Sequence, residues 1–293
     1  MVLAWLISVS EGSGGEGSCA MSKDRVQGAL WGLMAGDALA SPTHWYYGGL
    51  RQVQADYGRR GIVGYTKPVS QMSGSIMPRS NTDGAGRGAY NEDKKTVIGD
   101  VINHGKKRYW DPRSSYHYHG TLAAGENTLE AQLSRLLVRT IAGSGGRVDD
   151  NAFRAAYVEW MTTPGSHNDS YASTCHRMFF ANWFHGKRAP EKCPDNDRHN
   201  VDTIDGLVLP SVAAVAAAYL GGPGSRDAAV DAAVRIARVT RDSRPLEATA
   251  AALAGVLFDS VHGVGSMAGR VDAATAALGL PQLHHNAPDE MIS

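Results

Sequence analysis

Asp202 and Asp205 stand three positions apart ahead of an apolar run, a spacing that puts both carboxylates on one face of a helix and within reach of one cation. A solvated helix start explains the same pair, because like charges at that spacing otherwise repel. Glu126-Asn127-Thr128 opens another periodic stretch. Its acid either faces a metal or ligand or serves a first turn, where the macrodipole favours negative charge. His167-Asn168-Asp169 follows Pro164-Gly165, so Asp169 is a site acid or the N-cap of the next helix. Asp37, between Gly36 and Ala38, approaches a site or anchors two helices by hydrogen bonds. His176 shares its stretch with Met178, Phe179, Phe180 and Trp183, the company of a packed core histidine as much as of a catalytic base. His117 and His119 alternate with Tyr116 and Tyr118 as an extended pocket edge or an exposed loop.

Helices must position these groups. Val26, Ala29, Leu30, Leu33 and Met34 follow the 3.6-residue period and predict a helix over 24–40 with one buried stripe. Leu129, Leu133, Leu136, Leu137 and Ile141 predict another beginning near Glu126, and Phe153, Tyr157 and Trp160 a third, capped by Asp149 or Asp150. Further helical patterns run near 171–184, 203–220, 226–239, 246–261 and 270–278. Alanine dominates the last four, and its small side chain lets helices approach closely. Alternating strand patterns are nearly absent, so the expected class is all-α, a compact orthogonal multi-helix array. Between Tyr46 and Gly120 the periodicity disappears, most of all over Gln71–Asp93, which reads as a substrate-facing excursion.

Composition narrows the function. Lys and Arg number 29 against 29 Asp and Glu, so no net charge draws the chain to nucleic acid or an anionic membrane. The run Leu207–Leu220 falls short of the roughly 18 to 20 residues that span a bilayer. Three cysteines, Cys19, Cys175 and Cys193, make no disulfide framework or zinc quartet, and the expected location is a reducing, cytoplasmic one. Val2–Ile7 is apolar and Ser18-Cys19-Ala20 loosely resembles a cleavage site, but no positive charge precedes them. Residues 1–22 read as a loose tail and 23–293 as one helical domain. Gly84–Gly88 lacks the strand and helix of a dinucleotide turn, and Gly99–Lys107 has the wrong glycine spacing for a P-loop. There is no GxSxG elbow and no HExxH.

Gly28–Ala40 resembles the opening helix of the ADP-ribosylglycohydrolase superfamily, an all-α fold with a binuclear magnesium site. His119–Leu129, Cys175–Asn182 and His199–Asp205 look like one branch of it, the J-crystallins and selenoprotein J. Val239-Thr240-Arg241-Asp242 resembles the family's Thr-His segment, with Arg241 in place of His. The resemblance implies hydrolysis of N- or O-glycosidic ADP-ribosyl linkages on small molecules or proteins. Two magnesium ions would hold the ribose diol and orient a water. On it, Glu126 and Asp169 are the candidate acid/base pair, and Glu126, Thr128, Asp202 and Asp205 the candidate metal ligands. Asp37, His119, Asn127 and His176 are the candidate substrate contacts.

The chain departs from the hydrolases in two places. Their Thr-Asp-Asp-Thr box is here Gly125-Glu126-Asn127-Thr128, as in the crystallin-like branch, and their second, Gly-Gly-Asp box is not found. The segment Arg241–Pro245 offers Asp242 as a first acid, but Arg244 stands where the second is needed. Under the alternative alignment, 268–293 begins a further helical section that gives out around Leu283–Asn286, before the missing box. The competing expectation is a non-catalytic member, either a crystallin-like structural protein or an ADP-ribose binder.

Overall fold

Periodic, alanine-rich sequence becomes helix wherever apolar residues recur on one face. The structure, a computed structural model, describes residues 16–77, 80–83, 96–194 and 201–281. Among these the regular elements are helical and the β-structure is limited to isolated bridges, so the class is all-α. Residues 1–15, the glycine run 84–88, His199-Asn200 and 283–286 lie outside the described residues.

Helix α1 (Glu16–Ala40) begins earlier than the predicted residue 24. It buries Val26, Leu30 and Ala38 and half-buries Leu33 and Met34, whereas Ala29 is exposed. Helix α2 (Gly49–Tyr57) falls inside the aperiodic stretch and buries none of its residues, which is why no apolar period announces it. Helix α3 (Leu129–Gly143) starts at Leu129 and not at Glu126. The reason is a tight turn before it, in which Gly125 takes φ +78° and Glu126 N–H donates to the Ala123 carbonyl at 3.1 Å. Helix α4 (Asp150–Thr162) is capped by Asp149, whose Oδ1 accepts the N–H groups of Asn151 and Ala152, both at 3.0 Å. Helix α5 spans Thr174–Phe184.

The chain divides into two units. One comprises Met1–Leu30, Leu137–Phe153 and Val201–Ser293 and contains α6 (Val208–Gly221), α7 (Arg226–Thr240), α8 (Arg244–His262) and α9 (Met267–Ala277). Ala214, Ala233 and Ala254, from α6, α7 and α8, meet in its centre with Val230 and Leu257 packed around them. Methyl groups at that meeting point allow close helix approach. Ser243 caps α8 by accepting Leu246 N–H, and Ser266 caps α9 by accepting Gly269 N–H. Ile204–Gly221 is long and apolar enough to cross a membrane by length and hydropathy, a longer apolar window than Leu207–Leu220 suggested, and 56% of it is buried inside the protein.

The other unit comprises Trp31–Leu136 and Arg154–Asn200. Helix α5 is buried over Thr174–Asn182, with Phe179 edge-on to Tyr157 at 5.0 Å. The long segment between α2 and α3 is tied down by backbone bonds: Met72 N–H donates to Ser115 at 2.7 Å and His117 N–H to Ser70 at 3.1 Å. Met72, Met77, Tyr118 and Leu122 are buried along it. Burying each such side chain contributes about 1.5–3 kcal/mol, which helps hold the described parts of this segment, including the short helical turns Val97–Val101 and Lys107–Trp110, in place.

Candidate functional site

Three carboxylates converge on the segment Ala123–Leu129, each in a different way. Glu126 Oε2 accepts Ala123 N–H at 2.8 Å and the Asn168 amide at 3.1 Å. Asn168 is clamped in turn: its amide donates to the Thr121 carbonyl, its backbone carbonyl accepts the Thr121 hydroxyl, both at 2.6 Å, and its Oδ1 accepts Lys106 Nζ at 2.9 Å. Asp37, near the end of α1, accepts the Thr128 hydroxyl at 2.6 Å, Thr128 N–H at 2.8 Å and the Asn127 amide at 3.0 Å. The Asn127 amide also donates to the Met34 carbonyl at 2.7 Å. Asp37 therefore anchors the segment.

Asp169 is buried at 1% exposure and accepts Leu129 N–H at 2.8 Å and Tyr171 N–H at 3.1 Å. It thus caps α3, not the helix that follows it in sequence. His119 Nδ1 donates to its two oxygens at 2.9 and 3.0 Å. Burial opposes the charge of Asp169, but His119 and the two N–H groups outweigh it and hold the carboxyl below its usual range. His119 Nε2 in turn lies 2.6 Å from Nδ1 of His44. His119 is itself only 4% exposed. Trp45, Tyr118 and Tyr171 pack around His44 with ring centroids 4.8–5.6 Å from it.

His117 is buried, not an exposed edge: its Nε2 donates to the Pro42 carbonyl at 3.0 Å and its Nδ1 accepts His119 N–H at 3.0 Å. Burial, aided by the neighbouring His119, pushes its pKa down to about 4. His176 is also fully enclosed, between Tyr157 OH at 2.7 Å and Glu130 Oε1 at 2.9 Å. Burial favours its neutral ring, but the fields of Cys175, Tyr157 and Glu130 win and raise its pKa. Both ring nitrogens of His176 are thus engaged in the core.

Among the described residues, two side-chain oxygens of the Ala123–Leu129 segment take part in no hydrogen bond, Glu126 Oε1 and Asn127 Oδ1. Both belong to half-buried residues next to each other. Gly125 makes this presentation possible, since its φ of +78° turns the chain in the left-handed region.

Asp202 and Asp205 belong to the other unit. Asp202 is exposed and precedes the short 3₁₀ turn Ile204–Leu207, so the two acids share no helical face. Asp205 Oδ2 is held by the guanidinium of Arg241 at 2.6 Å, and its Oδ1 accepts the Thr203 hydroxyl. Arg241, 2% exposed, also donates to the Val201 carbonyl and Thr203 Oγ1. Paired with an arginine, Asp205 is a structural counter-ion.

A pair of magnesium ions needs carboxylate oxygens whose lone pairs are open. Here both oxygens of Asp169 are filled by N–H donors, whereas Asp37 accepts two donors on Oδ2 and one, the Thr128 hydroxyl, on Oδ1. Among the described residues no three His, Cys, Asp or Glu side chains gather as a ligand set. Of the expected ligands, Glu126 keeps Oε1 without a hydrogen bond and Asp205 is paired with Arg241.

Sequence reasoning missed His44, Lys106 and Thr121. The run His44-Trp45-Tyr46-Tyr47 was the available signal, an aromatic and imidazole cluster straight after Ser41-Pro42. The family model for ADP-ribosylglycohydrolases matches residues 19–287. No curated protein and no solved structure matches the chain. An all-α fold and a family match over nearly the whole sequence lead to one conclusion: the chain belongs to the ADP-ribosylglycohydrolase family.

Proposed function

We propose that the chain hydrolyses the glycosidic bond of an ADP-ribosyl group on a small molecule or protein, with Glu126 as the base that activates water. The observation that carries this reading is the asymmetry of its carboxylate. Oε2 is pinned by Ala123 N–H and Asn168, while Oε1, beside Asn127 Oδ1, accepts nothing among the described residues. A carboxylate fixed in orientation with one open oxygen is suited to general base catalysis, a contribution of about 10²–10⁴ in rate. Asn127 Oδ1, at the neighbouring position, suits a ribose hydroxyl donor.

The family is typically metal-dependent. In this chain the neighbouring carboxylates are occupied by N–H donors, so the acid–base work falls to its own side chains. The substituted box Gly125–Thr128, shared with the crystallin-like branch, supports placing the chain there.

Chromatographic release of ADP-ribose from an arginine-linked and a serine-linked substrate tests the reading. The expected result is turnover by the native protein and a loss of about 100-fold in Glu126→Gln. Saturable ADP-ribose binding without release would make the protein a binder instead.

A further inference from the structure

Lys106 and Glu126 are joined through one side chain. The amide nitrogen of Asn168 donates to Glu126 Oε2 at 3.1 Å, and its oxygen accepts Lys106 Nζ at 2.9 Å. Turning the amide over would set its NH2 group against the ammonium and take a donor away from the Thr121 carbonyl, 2.6 Å from the same nitrogen. The order Lys106, Asn168, Glu126 is therefore fixed. All three bonds are solvent-exposed, as is Asn168 itself, so the ammonium and the carboxylate reach the protein surface together.

The charge of Lys106 is not neutralised. An ammonium carries three N–H donors and no acceptor. Among the described residues Lys106 Nζ uses one of them, on a neutral amide, and makes no ion pair. Nearby cations differ: Lys107 Nζ lies 4.0 Å from Asp100 Oδ2, and Arg113 is paired with Asp111 at 2.9 Å. His167, the residue before Asn168, is pushed toward its neutral ring chiefly by burial and adds no second charge. A direct contact between Lys106 and Glu126 would cancel the two charges. The amide between them keeps each open to a ligand, Lys106 through two N–H donors and Glu126 through Oε1.

This arrangement fits a ribose that carries a phosphate. In an ADP-ribosyl group the anomeric carbon that water attacks and the phosphate on the 5-oxygen belong to the same sugar. A base serving the first and a cation serving the second must stand about one sugar apart, and here two hydrogen bonds and one amide separate them. Phosphate oxygens are strong acceptors for an ammonium, because both partners are charged. The bond to Asn168 restrains the long lysine stem before a ligand arrives, which lowers the ordering cost of binding.

We propose that Lys106 is the phosphate anchor of this site, its ammonium binding the phosphate on the ribose whose glycosidic bond faces Glu126. The orientation toward Glu126 rests on the hydrolase reading above; the capture of a ribose phosphate does not require turnover. No bond forms or breaks at Lys106, so its effect falls on binding and not on the chemical step.

The test titrates the full chain with ADP-ribose in a calorimeter, with ribose 5-phosphate as competitor. The native protein is expected to bind ADP-ribose and to lose it to ribose 5-phosphate. Lys106→Gln is expected to bind ADP-ribose about 10- to 100-fold more weakly, the loss of a charged hydrogen bond, and Lys106→Arg to recover most of the affinity. Added salt is expected to weaken binding to the native protein more than to Lys106→Gln, because one charge pair is gone from the variant. With arginine-linked ADP-ribose as substrate, Lys106→Gln is expected to raise KM by a similar factor and to leave kcat within about twofold. Equal affinities of the native protein and Lys106→Gln would overturn the anchor and leave the hydrolase reading intact. A fall in kcat with KM unchanged would also overturn it, and would make Lys106 a residue that merely positions Asn168 and Glu126. Binding of ADP-ribose without release from the substrate would overturn the hydrolase reading alone. A native protein that binds neither ADP-ribose nor ribose 5-phosphate would overturn both.

Discussion

The buried carboxylate of Asp169 accepts Leu129 N–H at 2.8 Å and so joins the first turn of α3 to the imidazole of His119. One residue caps a helix and orients a histidine. Asp169→Ala is therefore expected to cost about 3 kcal/mol of stability, since it uncaps α3 and leaves His119 without its counter-charge. Urea unfolding checks it; a change under 1 kcal/mol, in the range of an exposed cap, would mean that the buried pair contributes little.

His117 makes stability depend on pH. Its folded pKa of about 4 lies below the ordinary histidine value, so the unfolded chain takes up a proton that the folded chain refuses. The contribution is complete above about pH 6.5 and is lost as pH falls toward 4, by up to about 3 kcal/mol. Unfolding free energies at pH 7 and pH 5 are expected to differ less in His117→Gln than in the native protein.

Gly125 holds φ +78° to present Glu126. Gly125→Ala is expected to cost about 1–2 kcal/mol from the left-handed backbone and to lower turnover beyond what that instability explains. Comparing kcat at a temperature where both proteins are fully folded separates the two effects.

In the other unit, Arg241 closes the segment Val201–Asp205 through three acceptors. Arg241→Ala is expected to destabilise by about 1–3 kcal/mol, because it removes a buried guanidinium and its bonds to Asp205, Val201 and Thr203, whereas exposed Asp202→Ala changes stability by under about 0.5 kcal/mol. Thermal melts of the two variants check this contrast.

Magnesium is expected to leave the thermal midpoint where it is. An ion bound by the native state would raise that midpoint with its concentration, and the oxygens of Asp169 are filled by N–H donors while Asp205 is paired with Arg241. A midpoint that climbs between chelated and millimolar magnesium buffers would contradict the donor set described above.

Much of the helical frame was legible because it buries one face. Leu129 to Ile141 and the alanine-rich α6 to α8 repeat on a helical period, and the structure places helices there. Helix α2 was illegible because it buries nothing, and α3 was started too early because Glu126-Asn127-Thr128 has the composition of a first turn. The site was only partly legible. Glu126 and Asn127 come forward from local sequence, but His44 meets His119 across 75 positions, and nothing local reports such a pairing. Asp205 read as a free acid because its partner Arg241 is 36 residues away.

The central claim is that Glu126 is the base of an ADP-ribosyl hydrolase, and its most direct test is the single-turnover rate of ADP-ribose release by the native protein and by Glu126→Gln. The account predicts release by the native protein and a drop of about 100-fold in the variant with binding retained. Equal rates in the two proteins would contradict it.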